Sequence, residues 1–229
     1  MEVLDRARGA AGGGLLVFDL DSTVFDNRPR QARIVREYGA EHGVSALTRC
    51  LPLHFNSGWA LKGPALACGL SEGEYEHHAR ALKRFWGERF FTSAYCQDDI
   101  EVVGAPRFLH AAVGTKVQVL YVTGRHEEMR AGTERCLAKC GMPLPAQATG
   151  VSLLMKPTLA EDDDAYKRDT HQLLAKRGTL LAAFDNEPTH VNDYAVSFPQ
   201  AMAVHLATDH SGREVALHPR VVSIPHFAW

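Results

Sequence analysis

Five short apolar runs, each closed by polar or turn-forming residues, recur along this chain and limit what it can fold into. They occupy residues 15–20, 117–122, 151–155, 180–184 and 201–206. A strand covered on one face alternates apolar and polar residues, whereas a nearly continuous apolar run of this length suits a strand buried on both faces. Helical patterns fill the gaps between the later runs, over 126–140, 165–177 and 188–196, each long enough to be a crossover. Strand and helix in alternation predict an α/β protein with a doubly wound, Rossmann-like parallel sheet. Ligands of such sheets bind beyond the carboxyl ends of the strands, near a topological switch point. The polar residues that close each run therefore carry the functional information.

Between Asp26 and about Asp99 the strand pattern stops, and residues 28–99 are predicted to form a helical cap inserted into a core of 1–27 and 100–229. "RQARIVREYGAEHG" has apolar residues at near-helical spacing and stops at Gly43, while "SEGEYEHHARALKRFWGERFF" opens with Ser71 and Glu74 in capping-box spacing. Tyr75, Ala79, Leu82, Phe85, Trp86 and Phe90 then make one apolar stripe, read as packing within the insertion. The segment "CLPLHFNSGWALKGP", with His54, Asn56, Trp59 and Lys62, suits either a reach over the site or further packing. Gly12 to Gly14 precede a strand rather than follow one, so they are a flexible lead-in, not a phosphate loop.

Composition excludes several classes. With 229 residues, 45% hydrophobic and 23% charged, the chain can bury a sizeable core. Its formal net charge of -2 offers no general basic face, which makes a nucleic acid an unlikely partner and leaves any anionic substrate to be held locally. No apolar run approaches the roughly 20 residues of a membrane-spanning helix, and the start "MEVLDRARGAAGGG" lacks a basic segment followed by an apolar signal core, so a cytoplasmic protein is expected. Cys50, Cys68, Cys96, Cys136 and Cys140 are odd in number and lack CxxC spacing, which favours reduced thiols over a disulfide framework or a zinc site. The histidines likewise show no HxxxH pair with a third ligand.

Four run ends make sense together. "LLVFDLDSTVFDN" places Asp19 and Asp21 two apart, so both carboxylates can lean to one side of an extended chain. Two such anions repel, and a hard divalent cation compensates by taking carboxylate oxygens. "VLYVTGRHEE" puts Thr123 and Gly124 where a strand is expected to hand over to a helix, a natural phosphate seat. "LLMKPTLAEDDDAYKRD" offers Lys156 at a turn and Lys167 early in a helix, either of which supplies a positive charge. "LAAFDNEPTHVND" ends its run with Asp185, a third carboxylate for a metal. By default Arg125 reads as an exposed first-turn arginine and the 161–164 acidic run as a solvated helix lead-in. Glu187 and Asp193 are read as a helix start and a solvated face.

Carboxylate, hydroxyl, lysine and carboxylate in this order resemble the haloacid dehalogenase superfamily, through "DLDST", "YVTGR", the "DDAYKRD" or "MKP" lysine and "FDNEP". The spacing "DDAYK" is similar to that of polynucleotide kinase-type phosphatase domains, which favours Lys167. The insertion sits where that superfamily carries a helical C1-type cap. The resemblance implies a Mg²⁺-dependent phosphomonoester hydrolase acting on a small phosphoester through an aspartyl-phosphate on Asp19. Asp21 would be the general acid and then the base, and its backbone carbonyl would join Asp19 and Asp185 around Mg²⁺. Thr123, Gly124 and Lys167 would hold the transferring oxygens. Asp21 also argues for phosphate chemistry over carbon–halogen cleavage, whose enzymes lack an acid there. The chain departs from the pattern after Asp185, where Asn186, Thr189 and His190 stand in place of the usual second acid. Two other expectations stay open: a 3′-phosphatase acting on nucleic-acid ends, and a non-catalytic phospho-ligand binding protein on the same core.

Overall fold

The computed structural model describes residues 2–10, 12–55, 60–145 and 147–228. In chain order its elements are α1 (Glu2–Gly9), β1 (Gly14–Phe18), β2 (Phe25–Asp26), α2 (Arg28–Glu41), α3 (Lys62–Ala67), α4 (Glu72–Phe90), β3 (Ile100–Glu101), α5 (Ala105–Gly114), β4 (Gln118–His126) and α6 (Arg130–Lys139). They continue with β5 (Val151–Lys156), α7 (Asp163–Arg177), β6 (Thr179–Asp185), α8 (Pro188–Ser197), β7 (Met202–Leu206) and β8 (Val222–Ile224).

Six strands form one parallel sheet in the order β5-β4-β1-β6-β7-β8, which is the doubly wound α/β architecture expected from the sequence. The first run lies in the middle, with Val17 beside Leu120 on one side and Ala183 on the other. Its residues alternate between two apolar layers. Leu16 and Phe18 pack with α1, α5 and α6, through Leu4, Phe108 and Leu137 among others. Leu15 and Val17 pack with α7 and α8, through Leu174, Val191 and Tyr194. A strand covered on both faces has no solvent side, and this is why the run shows so little polar alternation. The chain builds β1, β4 and β5 towards one edge and then crosses back to β6, so the order reverses at the carboxyl end of β1.

The chain leaves this core and returns to it through a two-stranded antiparallel ribbon, β2 and β3, with Asp26 paired to Ile100. Between them α2, α3 and α4 bury their own cluster, including Ile34, Tyr38, Leu47, Leu82, Phe85 and Trp86. Ser71 and Glu74 form the capping box that starts α4, with Glu74 N–H donating to Ser71 Oγ and Ser71 N–H to Glu74 Oε2. No helix of the described residues is long and apolar enough to cross a membrane.

Three local expectations need correction. β4 does not stop at Val122 but runs on to His126, because Thr123 and His126 still pair with Met155 and Lys156 of β5 across a bulge. The following helix therefore begins at Arg130, not at 126. The glycines read as preceding the first strand do not all do so, since Gly14 is its first residue, and ahead of them α1 sends Val3, Leu4 and Ala7 into the core. Helix α5, which buries Ala105, Phe108, Leu109 and Ala112 at helical spacing, and the short edge strand β8 are not among the predicted elements.

Gly132 of α6 lies so near the returning chain that an added Cβ would sit 2.1 Å from the Ser93 carbonyl oxygen. Gly132→Ala is expected to cost about 1–3 kcal/mol through overpacking. Gly114→Ala, where a Cβ meets nothing within 4 Å, is expected to be neutral or stabilising by up to about 1 kcal/mol. Urea unfolding midpoints of the two variants check the pair.

Candidate active site

Asp19 directly follows β1, and its N–H donates to the Phe184 carbonyl at 2.9 Å, which continues the sheet pairing one residue further. Asp185 closes β6 beside it. Above both, α7 brings in Lys167, whose ammonium donates to Asp19 Oδ1 at 2.6 Å, Asp185 Oδ2 at 2.9 Å and the Val122 carbonyl at 2.8 Å. All three donors of the ammonium are thus used, at the ends of β1, β6 and the body of β4. Burial disfavours the charge on Lys167, but Asp185 and Asp19 outweigh it and hold the pKa above its ordinary value. Burial also acts on Asp185, where Lys167 and His190 prevail and push the carboxyl down. At Asp19 burial wins: opposed by Lys167 and reinforced by the charges of Asp185 and Asp21, it raises the carboxyl to about 7. One ammonium is shared among more negative charge than it can neutralise.

Beyond Asp19 the chain turns sharply. The Leu20 carbonyl accepts the N–H groups of Thr23, Val24 and Phe25. Ser22 takes a left-handed φ of 57°, a conformation that costs a non-glycine residue about 1 kcal/mol or more. Its N–H donates to Asn27 Oδ1 at 3.0 Å, and its carbonyl accepts the Thr208 hydroxyl. This turn aims Asp21 at a buried group of charges. Arg125 donates through Nε to Asp21 Oδ2 at 2.9 Å and through Nη2 to Asp21 Oδ1 at 2.8 Å and Asp99 Oδ2 at 2.6 Å. Arg30, from α2, reaches Asp21 Oδ1 at 2.7 Å and Asp99 Oδ1 at 2.9 Å, and donates to the Phe90 carbonyl at 2.9 Å. Arg30 and Asp99 are fully buried. Burial alone would raise the Asp21 carboxyl, but Arg125 and Arg30 bring it down to about 2.

These side chains floor a cleft of about 310 Å³ whose walls include Phe90 and Phe91 from the end of α4 and Ser211 and Arg213 from the loop after β7. At its rim His190 Nε2 lies 2.8 Å from Asp164 Oδ1, and Arg213 Nη1 donates to Asp164 Oδ2 at 2.7 Å. The Arg213 hydrogen bond, helped by His190, holds the Asp164 carboxyl at about 2. His190 Nδ1 stands 3.5 Å from Asp185 Oδ1, and this carboxylate outweighs burial to raise the imidazole.

Of the residues singled out from the sequence, Asp19, Asp21, Gly124, Lys167 and Asp185 meet at the cleft. Thr123 is fully buried beneath it, its hydroxyl accepting the Arg125 N–H at 3.1 Å. Lys156 turns away to Asp163, at 2.6 Å, and to the carbonyls of Leu159 and Glu161. Asn186 lines the cleft, with Oδ1 3.2 Å from the Thr23 hydroxyl. Glu187 stands at the start of α8 as read, but buried, and its carboxylate accepts the N–H and hydroxyl of Ser211. Asp193 lies outside the cleft lining. Arg125 is a buried strand residue rather than an exposed one, a direct result of β4 running past Gly124. Lys62 and His54 do not line the cleft, and Asn56 and Trp59 lie outside the described residues. Arg30 and Asp99 had no signal beyond an arginine in the first turn of a helix, where its charge opposes the helix dipole.

Compared by sequence, the chain matches no protein-family model and no curated protein. Compared by structure, it is similar to CbbY from Rhodobacter sphaeroides, with a TM-score of 0.52 and 13% identity over 93% of this chain and 94% of that one. A putative phosphatase from Clostridium difficile gives a TM-score of 0.55 at 9% identity, covering 92% and 93% of the two chains. A haloacid dehalogenase-like hydrolase from Streptococcus pneumoniae gives 0.52 at 9% identity, covering 91% and 92%. The chain has the haloacid dehalogenase-like fold. CbbY structures hold phosphate in one case and xylulose-(1,5)bisphosphate, on a mutant, in another. In this haloacid dehalogenase-like chain the corresponding likeness is one of fold, and the chemistry rests on the residues above.

Arg30→Met leaves Asp21 and Asp99 each short of a buried partner and is expected to destabilise by about 3–5 kcal/mol. Breaking the exposed Arg8–Asp5 pair by Arg8→Met is expected to cost less than about 1 kcal/mol. Denaturant titration of the two variants distinguishes the outcomes.

Proposed function

We propose that this protein is a Mg²⁺-dependent phosphomonoester hydrolase that passes a phosphoryl group from a small substrate to Asp19 and then to water. The observation that carries this reading is the position of Asp19: at the carboxyl end of the central strand, on the floor of the cleft, gripped by Lys167. Two structural neighbours, one named a hydrolase and one a putative phosphatase, support the same class.

In the first step an Asp19 carboxylate oxygen attacks phosphorus and the bond to the leaving oxygen breaks. Lys167, by turning to the phosphoryl group the N–H that it gives Asp19 in this structure, and the backbone at Gly124 hold the transferring oxygens, where charge must be stabilised. The leaving oxygen takes a proton from Asp21. In the second step Asp21 accepts a proton from water as it attacks phosphorus, which frees inorganic phosphate and restores Asp19. In this structure both Asp21 oxygens accept from guanidiniums, which favours the carboxylate that the water step needs, so the proton that Asp21 passes to the leaving oxygen in the first step is one it takes up from the substrate monoanion on binding. Thr123 takes no direct part in this scheme; it braces the backbone of Arg125.

Asp19, Asp185 and Asn186 bring hard oxygens to the cleft, and the family resemblance would add the Asp21 carbonyl, a set that suits Mg²⁺. Bound there, Mg²⁺ would offset the repulsion between an anionic substrate and the carboxylates. The helical unit over 28–99 is the cap in this reading. It turns Phe90 and Phe91 towards the cleft, an apolar surface for the leaving group.

Release of inorganic phosphate from an aryl phosphate tests the proposal. Native protein is expected to turn over with Mg²⁺ and stop with chelator, and Asp19→Asn to lose more than about 10³-fold while staying folded. An Asp19→Asn protein with most of its activity overturns the mechanism. Asp21→Asn is expected to lose about 10²–10⁴-fold on an alkyl phosphate and much less in the first step with a dinitrophenyl phosphate, whose leaving group needs no proton. Single-turnover release of the two alcohols reads that difference directly.

A further inference from the structure

Away from the cleft, inside the helical unit, three side chains converge that no part of the hydrolase reading uses. The Sγ atoms of Cys50 and Cys68 and a ring nitrogen of His54 all lie within 4.8 Å of one another. Cys68 Sγ is 3.2 Å from His54 Nδ1. Cys50 is fully buried and Cys68 nearly so, while His54 is half-buried on the turn Pro52–His54. Chain geometry makes the meeting specific: Cys50 leaves the turn Leu47–Arg49 in an extended conformation, the next turn folds His54 back onto it, and Cys68 closes α3.

The tautomer of the imidazole is fixed by its neighbour. The Leu51 backbone N–H donates to His54 Nδ1 at 3.1 Å. A backbone N–H can only donate, so Nδ1 carries no proton, as a metal requires of histidine; its one lone pair is shared between that N–H and the Cys68 thiol, and a metal at Nδ1 would take their place. Zinc binds thiolate at about 2.3 Å and imidazole at about 2.0–2.1 Å, and a tetrahedron of those bonds has edges of roughly 3.6–3.8 Å. The observed triangle, with one side of 3.2 Å and none above 4.8 Å, brackets those edges. Two thiolates and a neutral imidazole also cancel the charge of a divalent ion, which suits a largely buried site.

We propose that Cys50, His54 and Cys68 form a binding site for a soft divalent cation such as Zn²⁺. Binding forms two metal–sulfur bonds and one metal–nitrogen bond and releases two thiol protons. Among the described residues the group supplies three ligands, so the fourth position is open to water or an external ligand. The ion clamps residues 50–54 to the end of α3. Sequence spacing argued against a zinc site because the cysteines are odd in number and lack CxxC pairs, whereas these ligands are 4 and 14 residues apart.

The test is a Co²⁺ titration of the reduced, full-length, metal-free chain, with excess Mg²⁺ present to occupy the carboxylate cleft. One Co²⁺ per chain is expected to give thiolate-to-cobalt charge-transfer absorption with tetrahedral visible bands, abolished mole for mole by Zn²⁺. Carboxylate coordination alone gives no sulfur band. Cys68→Ser is expected to weaken or remove the sulfur band, and Cys136→Ser, on a buried thiol of the α/β core, to leave it intact. Should Cys68→Ser fail to fold by circular dichroism, His54→Ala on the half-buried turn replaces it and is expected to weaken Co²⁺ binding at least about tenfold. Absence of a sulfur band in the native chain, or its loss in Cys136→Ser rather than Cys68→Ser, overturns the proposal.

Discussion

A single buried ammonium organises the centre of this molecule. Lys167 donates to Asp19, to Asp185 and to the Val122 carbonyl, so one side chain on α7 fixes the relative positions of β1, β6 and β4. Two carboxylates this close in a low-dielectric interior repel strongly, and a cation between them is what lets both strand ends finish in aspartate. Burying that triad costs desolvation that the ion pairs only partly recover. The return on it is geometric: an oxygen of Asp19 is held at the mouth of the sheet, where the strand order reverses and a crevice must open.

A second buried group does for the helical unit what Lys167 does for the core. Arg30 leaves α2 and Asp99 stands just before β3, so the outgoing and returning connections of the insertion meet at one point, together with Arg125 and Asp21 of the core. Arg30 also lies over the Phe90 ring, 3.9 Å from its centre, and so ties the end of α4 to the same place. The unit with its own apolar cluster is therefore not loosely tethered. Its placement is set by charges that converge on Asp21.

How much of this could be read from residues alone depended on whether the information was local. The buried strands 15–20, 180–184 and 201–206 were legible because a strand covered on both faces leaves a one-dimensional trace. The ends of those strands gave Asp19, Asp21 and Asp185, and the spacing "DDAYK" gave Lys167 over Lys156. Arg30, Asp99 and the burial of Arg125 were not legible, because each is defined by partners distant in the chain. The extension of β4 past Gly124 was decisive for Arg125 and Thr123: it depends on pairing with β5 across a bulge, which no period within "YVTGRHEE" encodes. Cys50, His54 and Cys68 fall in the same class, brought together by two tight turns and the end of a short helix.

The ribbon of β2 and β3 has a bearing on how the chain assembles. Asp26 and Ile100 are ladder partners, so their backbones sit about 5 Å apart although the intervening segment is roughly 70 residues long. Closing so long a loop in place of a two-residue hairpin raises the closure entropy by only about 3 kcal/mol, because that cost grows with the logarithm of length. To the six-stranded sheet the whole insertion is thus one enlarged hairpin. Its internal contacts, such as Tyr38 with His78 and Tyr95 with Glu37, join residues of the insertion to one another and can form on their own schedule, while β1 waits for β4 and β6. Modularity of this kind lets a chain exchange its inserted unit for another without asking the sheet to find a new register.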